Sequence, residues 1–155
     1  MLKLDQIYMM EALKEAGKAF NAGEVPVGAV IIHKNKVIAK AHNQIKMLKD
    51  PTAHAEMIAI TQAGSYLANE RLCDAVMYVT IEPCMMCAGA LVLARIERVC
   101  FAASDPKTGA FGSVIDINKL KLNHKIAVTK GVLEEECVFL MQEFFKNKRR
   151  GRLVA

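Results

Sequence analysis

The stretch that most constrains this chain is Glu82-Pro83-Cys84-Met85-Met86-Cys87, which follows the apolar run 75–81 without a break. The β-branched and aromatic content of 75–81 predicts a strand. Residues 82–94 predict the start of a helix that ends near Arg95. Pro83 suits the first helical turn, where its missing N–H costs nothing. Cys84 and Cys87, three apart, would share one helix face. The positive end of the helix dipole favours their thiolates. Such a pair can hold a metal ion, zinc being the usual choice, or serve as a thioredoxin-like redox pair. A third ligand elsewhere would separate the two readings, and His54-Ala55-Glu56 offers one.

The remaining elements surround these two motifs. Residues 5–22 carry Ile7, Met10, Leu13, Ala16 and Phe20 at helical spacing, with Asp5 placed to cap the start and Gly23 suited to the stop. Residues 27–33 predict a buried strand, Lys34-Asn35-Lys36 a turn, and 37–42 the second arm of a hairpin. Thr52 is placed to cap a helix over about 54–65. Residues 98–103 and 126–130 predict further strands, and 114–125 a loop with a short helix. The last helix spans 134–148, with Cys137, Leu140, Met141, Phe144 and Phe145 on its apolar side. Helices alternating with strands predict a central sheet covered on both faces.

Composition narrows the class. A chain of 155 residues, 53% apolar, suits one domain over 1–155 with a full hydrophobic core. No apolar stretch approaches membrane length, and the first residues enter an amphipathic pattern, so the expected location is cytoplasmic. Five cysteines, an odd number, then argue for metal or catalytic use over a disulfide framework. Cys73, Cys100 and Cys137 read most simply as buried apolar residues. The net charge of +5 is compatible with a polyanionic partner. Lys146, Lys148, Arg149, Arg150 and Arg152 cluster at the C-terminal end, which on charge alone reads as a solvated tail.

His54 opens one predicted helix and Cys84 and Cys87 another. Both follow the sheet, so both helix starts can meet at one end of it. Three protein ligands leave a fourth zinc position for water, whose pKa the ion would bring toward neutrality. Glu56 is close enough to carry a proton between that water and a substrate. A structural zinc site would want a fourth protein ligand, and no other Cys or His has comparable spacing. H-x-E followed by P-C-x-x-C is the pattern of the zinc nucleobase deaminases.

Beyond that pattern, the chain resembles the bacterial tRNA-specific adenosine deaminases (the TadA family) of the cytidine deaminase-like fold. The resemblance runs through Gly23–Val30, His42-Asn43, Asp50–Glu56, Glu82–Ala90, Arg95-Ile96, Asp105–Ala110, Asn123-His124, Gly131–Leu133 and Phe144-Phe145. It implies a three-layer α/β/α sandwich with a central mixed five-stranded sheet. It implies hydrolytic deamination of adenosine to inosine at the wobble position of a tRNA anticodon, in a homodimer. His54, Cys84 and Cys87 would hold one zinc ion per chain, with Glu56 as the catalytic proton carrier. Asn43 would hydrogen-bond the flipped base and Val27 line its pocket. Asp105, Lys107, Asn123, His124, Phe145, Lys148 and Arg149 would face the anticodon loop. Gln44 departs from the pattern, since relatives often carry Arg there. Two other readings compete: a free-nucleobase or nucleoside deaminase, and a nucleic-acid-binding module with a structural zinc.

Overall fold

In the computed structural model, which describes residues 2–151, the hairpin forms where expected. Strands β1 (Gly28–His33) and β2 (Lys36–His42) pair antiparallel through Lys34 and Asn35, at φ 50° and 61°. Positive φ at both turn residues matches the twist of the two arms. Strand β3 (Ala75–Ile81) joins the other side of β1, antiparallel. Strands β4 (Arg98–Ala103) and β5 (Ala127–Lys130) follow in parallel, giving the order β2-β1-β3-β4-β5. The sheet is mixed and five-stranded, as the resemblance implied.

Helices α1 (Leu2–Asn21) and α5 (Glu134–Arg149) cover one face. A four-residue helix, α2 (Ile45–Leu48), follows the hairpin. Helices α3 (Ala55–Leu67) and α4 (Met85–Leu93) cover the other face. Alternate strand residues serve the two layers. Val30, Ile32, Tyr78, Cys100 and Ala102 face α1 and α5, while Ala29, Ile31, Met77, Val79 and Phe101 face α3 and α4. The architecture is thus a three-layer sandwich.

Helix α1 has the expected period and a different phase. Its buried stripe is Met9, Ala12, Ala16 and Ala19, while Ile7 and Met10 are exposed. The reason is close approach. A Cβ on Gly28 would stand 2.0 Å from the carbonyl oxygen of Ala12, so only alanine-sized residues fit between helix and strand. Asp5 is no cap. It lies inside the helix, buried, accepting hydrogen bonds from the Tyr78 hydroxyl (2.6 Å) and Arg98 Nη2 (2.9 Å). Arg98 also donates to Thr129 Oγ1 (3.0 Å), so the group ties α1 to three strands. Burial works to raise the Asp5 carboxyl, and the Arg98 and Tyr78 hydrogen bonds outweigh it and hold it below the ordinary value.

Three local expectations are corrected. Thr52 does not cap α3, because its N–H and hydroxyl both bond to Asp50 and the cap position belongs to His54. Pro83 precedes the first turn of α4, whose cap position is Cys84. Cys73 is exposed, whereas Cys100 and Cys137 are buried, and burial pushes both thiols up to about 12. Residues 114–125 hold a 3-10 turn, Ile117–Lys119. Among the described residues no helix is long and apolar enough to cross a membrane. Arg152 of the basic cluster lies outside the described residues.

Candidate active site

Parallel strands β3 and β4 deliver the chain to the same end of the sheet, and the site lies there. His54 and Cys84 are the cap residues of α3 and α4, both in extended backbone (ψ 150° and 176°). Cys87 is one turn into α4, buried. His54 Nδ1 lies 3.8 Å from Cys84 Sγ and 3.5 Å from Cys87 Sγ. The three ligand atoms stand within 4.8 Å of one another. A tetrahedral ion with S at about 2.3 Å and N at about 2.0–2.1 Å separates N from S by about 3.6 Å. The trio fits one such ion with its fourth position open.

The charges are arranged around this trio. Without an ion, a hydrogen bond from the Cys87 thiol, together with His54, holds Cys84 down to about 4. The same bond and burial keep the Cys87 proton on. The Cys84 hydrogen bond, helped by the Glu56 charge, pushes His54 up against the effect of burial.

Glu56, two residues after His54, is only 2% exposed. Its Oε1 is buried with no hydrogen-bond partner. Burial, joined by the negative Cys84, raises its carboxyl above the ordinary range. A buried acceptor without a partner is rare in a folded chain and marks a place where a ligand belongs.

His54, Cys84 and Glu56 line a cavity of about 770 Å³, with Cys87 buried behind them. Val25, Val27 and Ile45 form its apolar side, Ser104–Thr108 a loop wall, and Met141, Phe145 and Arg149 of α5 a third side. Asn43 also lines it. The Asn43 N–H donates to Val27 O (3.1 Å), and its Oδ1 accepts the Ala55 N–H (2.8 Å). That leaves the amide NH2 for a ligand. Glu24, buried, accepts the N–H groups of Lys46 and Met47 and so holds Ile45 over the cavity.

Most of the residues singled out from the sequence come together here: His54, Glu56, Cys84, Cys87, Val27, Asn43, Asp105, Lys107, Phe145 and Arg149. Lys148 is exposed on α5 and does not line the cavity. Asn123 and His124 lie at the opposite end of β4, where His124 Nε2 donates to Ile96 O (2.6 Å). The Asp105 carboxylate turns inward, accepting the N–H groups of Lys107 and Thr108 and the Thr108 hydroxyl. Sequence reasoning missed Glu82, Ile45 and Val138 and read Met141 only as core, so that the stripe Val138, Met141, Phe145 and Arg149 of α5 was not seen as one cavity wall. That stripe was visible as a helical repeat at i, i+3, i+7 and i+11.

Residues 4–149 match the family model of the MafB19-like deaminases. The chain is 46% identical over 152 residues to a tRNA-specific adenosine deaminase of Bacillus subtilis, covering 97% of this chain and 94% of that one. It is 48% identical to the tRNA-specific adenosine deaminase of Aquifex aeolicus, covering 94% and 97%. A solved structure from work on A-to-I editing by tRNA:A34 deaminases at the wobble position of transfer RNA superposes with a TM-score of 0.83. It is 42% identical and covers 86% of this chain and 97% of its own. A guanine deaminase of Bacillus subtilis is 31% identical with a TM-score of 0.61, covering 76% and 85%.

Proposed function

This chain belongs to the deaminase family, in its tRNA-specific adenosine branch, and from that premise we propose how its site converts adenosine to inosine at the wobble position of a tRNA anticodon. The observation that carries the mechanism is the buried, unpartnered Glu56 oxygen beside the His54–Cys84–Cys87 trio on the cavity floor.

His54, Cys84 and Cys87 would hold one zinc ion, the donor set and spacing being those of a three-ligand catalytic site. Bound there, zinc supplies the Lewis acidity that makes a water nucleophilic near neutral pH. The chain's own residues do the rest. Asn43, fixed by Ala55 and Val27, donates its amide to the flipped base. Val27 and Ile45 enclose the purine in an apolar slot. Glu56 takes a proton from the attacking water and passes it to a ring nitrogen. It then delivers the second proton to the amino group, which leaves as ammonia. A splayed anticodon loop supplies a base that needs no strand separation. Lys107, Phe145 and Arg149, on the cavity rim, would meet the nucleotides flanking it, with Asp105 fixing the loop that carries Lys107.

The test is direct. The zinc-loaded protein is incubated with a tRNA carrying A at the wobble position, and the product is sequenced for inosine. Turnover of free guanine or cytosine, with none on the tRNA, would overturn the reading in favour of a free-base deaminase.

The basic end of α5 carries a further prediction. Lys148, Arg149 and Arg150 extend from the helix turn that presents Phe145 to the cavity. Replacing all three by Ala is expected to weaken tRNA binding and to flatten its salt dependence by roughly 0.7–0.9 for each phosphate no longer neutralised. Saturating activity should fall much less. Affinity and salt slope equal to wild type would make this a solvated surface only. Lys148 would act there outside the cavity. Asn123 and His124 would meet the RNA separately, at the far end of β4.

We also read the protein as a single-domain, cytoplasmic homodimer with no membrane association. Helix α4 contains no charged residue, yet Met85 and Leu93 are 63% and 78% exposed, next to half-buried Met86, Gly89 and Ala90. A second copy would cover this face. Sedimentation at the monomer mass would count against it.

A further inference from the structure

Glu82 directly follows β3, with 2% of its surface exposed. Among the described residues no basic side chain forms an ion pair with it. Four donors satisfy it instead. Oε1 accepts the Asp105 N–H (3.1 Å) and the Ser113 hydroxyl. Oε2 accepts the N–H groups of Phe111 (2.9 Å) and Ser113 (3.2 Å). All four come from one segment, 105–113, through three backbone N–H groups and one hydroxyl. A Cβ on Gly109 would stand 2.3 Å from Glu82 Cδ and 2.6 Å from the Asp105 carbonyl oxygen, so the segment lies flat on the carboxylate. The same segment is stitched to the ligand loop. Gly109 bridges Cys84, and the Ala110 N–H donates to Pro83 O (2.9 Å).

A buried charge is costly, and an apolar residue of like volume would fill the space at less cost. Here the charge is kept and directed at one segment, gripping it at Asp105, where it begins to wall the cavity, and at Phe111 and Ser113, where it leaves. Asp105 then fixes the tip of that loop through Lys107 and Thr108. We propose that Glu82 is a positioning residue for the editing reaction: it sets the distance of the Asp105–Thr108 wall from Glu56 and the ligand trio, and so the fit of the cavity around the RNA that flanks the target base. This rests on the RNA-editing reading of the cavity.

Glu82→Gln conserves volume and releases the wall. In either amide orientation the NH2 faces a backbone donor, leaving Asp105 unpaired in one and both Phe111 and Ser113 in the other. With an anticodon hairpin as substrate, KM is expected to rise at least ~10-fold, the scale of one charge-assisted hydrogen bond. The kcat should stay within about threefold and zinc content near one per chain, because Glu56 and the trio are not displaced. Amide exchange should accelerate over 105–113 and stay unchanged in β3 and α3. Gly109→Ala enters the same interface from the other side and should give the same KM effect. The double variant should be no worse than either single change, since both disrupt the same packing of segment on carboxylate.

Unchanged KM and unchanged exchange in Glu82→Gln would overturn the proposal. So would joint loss of zinc and kcat at constant KM, which would make Glu82 a plain scaffold residue. If Glu82→Gln fails to fold, Ser113→Ala removes only the hydroxyl donor, and a normal KM and normal exchange there would overturn the proposal equally. A wild-type protein inactive on the hairpin would count against the RNA-editing reading alone, and the exchange measurement would then decide whether Glu82 holds the wall.

Discussion

Glu56→Gln is expected to keep fold and metal and to lose about 10²–10⁴-fold in rate, the usual contribution of a general acid–base group. Gln occupies nearly the same volume but cannot take a proton and hand it on. Glu56 is buried with one oxygen unpartnered, and burial lifts its carboxyl above the ordinary range. Such a group costs stability, so the variant should melt at the same temperature as wild type or higher. Single-turnover rates on a wobble-adenosine tRNA, with zinc content measured on the same sample, check this. Near-normal turnover by a zinc-loaded Glu56→Gln protein would remove Glu56 from the mechanism.

Cys87→Ala should have the larger effect, because it would remove one of three proposed zinc ligands. Cys87 is buried one turn inside α4, and with it gone only His54 and Cys84 remain. Zinc per chain is expected to fall from near one to near zero and activity to background. Cys100→Ala and Cys73→Ala are the controls. Cys100 is buried on the α1 side of the sheet and Cys73 is exposed, neither belongs to the ligand trio, and both variants should keep the ion. Full zinc retention in both Cys87→Ala and His54→Ala would sink the assignment.

What the sequence disclosed follows from how far each signal reaches along the chain. Strands β3 and β4 occupy 75–81 and 98–103 as expected, because continuous apolar runs bounded by polar residues leave little choice of register. The grouping of His54, Cys84 and Cys87 was legible because a set of metal-binding donors needs few residue types at fixed spacing. The phase of α1 was not. Ile7 and Met10 outweigh Ala12 and Ala19 in hydrophobicity, but the deciding quantity was the room above Gly28, a long-range steric fact. Asp5 reads as a cap for the same reason, since its partner Arg98 is 93 residues away. Glu82 was in view as a carboxylate closing an apolar strand. Its four donors, 23 to 31 residues on, were not. Asn123 and His124 were expected near the anticodon loop from resemblance alone, and in a single chain β4 separates them from the cavity.

The seam at Gly28 has a consequence for how this enzyme can change its diet. The strand there presses on the helix backbone with no slack, and Val27, the residue before Gly28, is part of the cavity's apolar side. That half of the pocket cannot give way without shifting α1. The loop wall opposite hangs on the side-chain hydrogen bonds of Glu82 and Asp105, and each can be lengthened or dropped one substitution at a time. A lineage or a laboratory selection seeking a new nucleic acid substrate would therefore accumulate its changes in 104–113 and along the outer stripe of α5. The sheet side would stay as it is, a fixed anvil against which the variable side is reshaped.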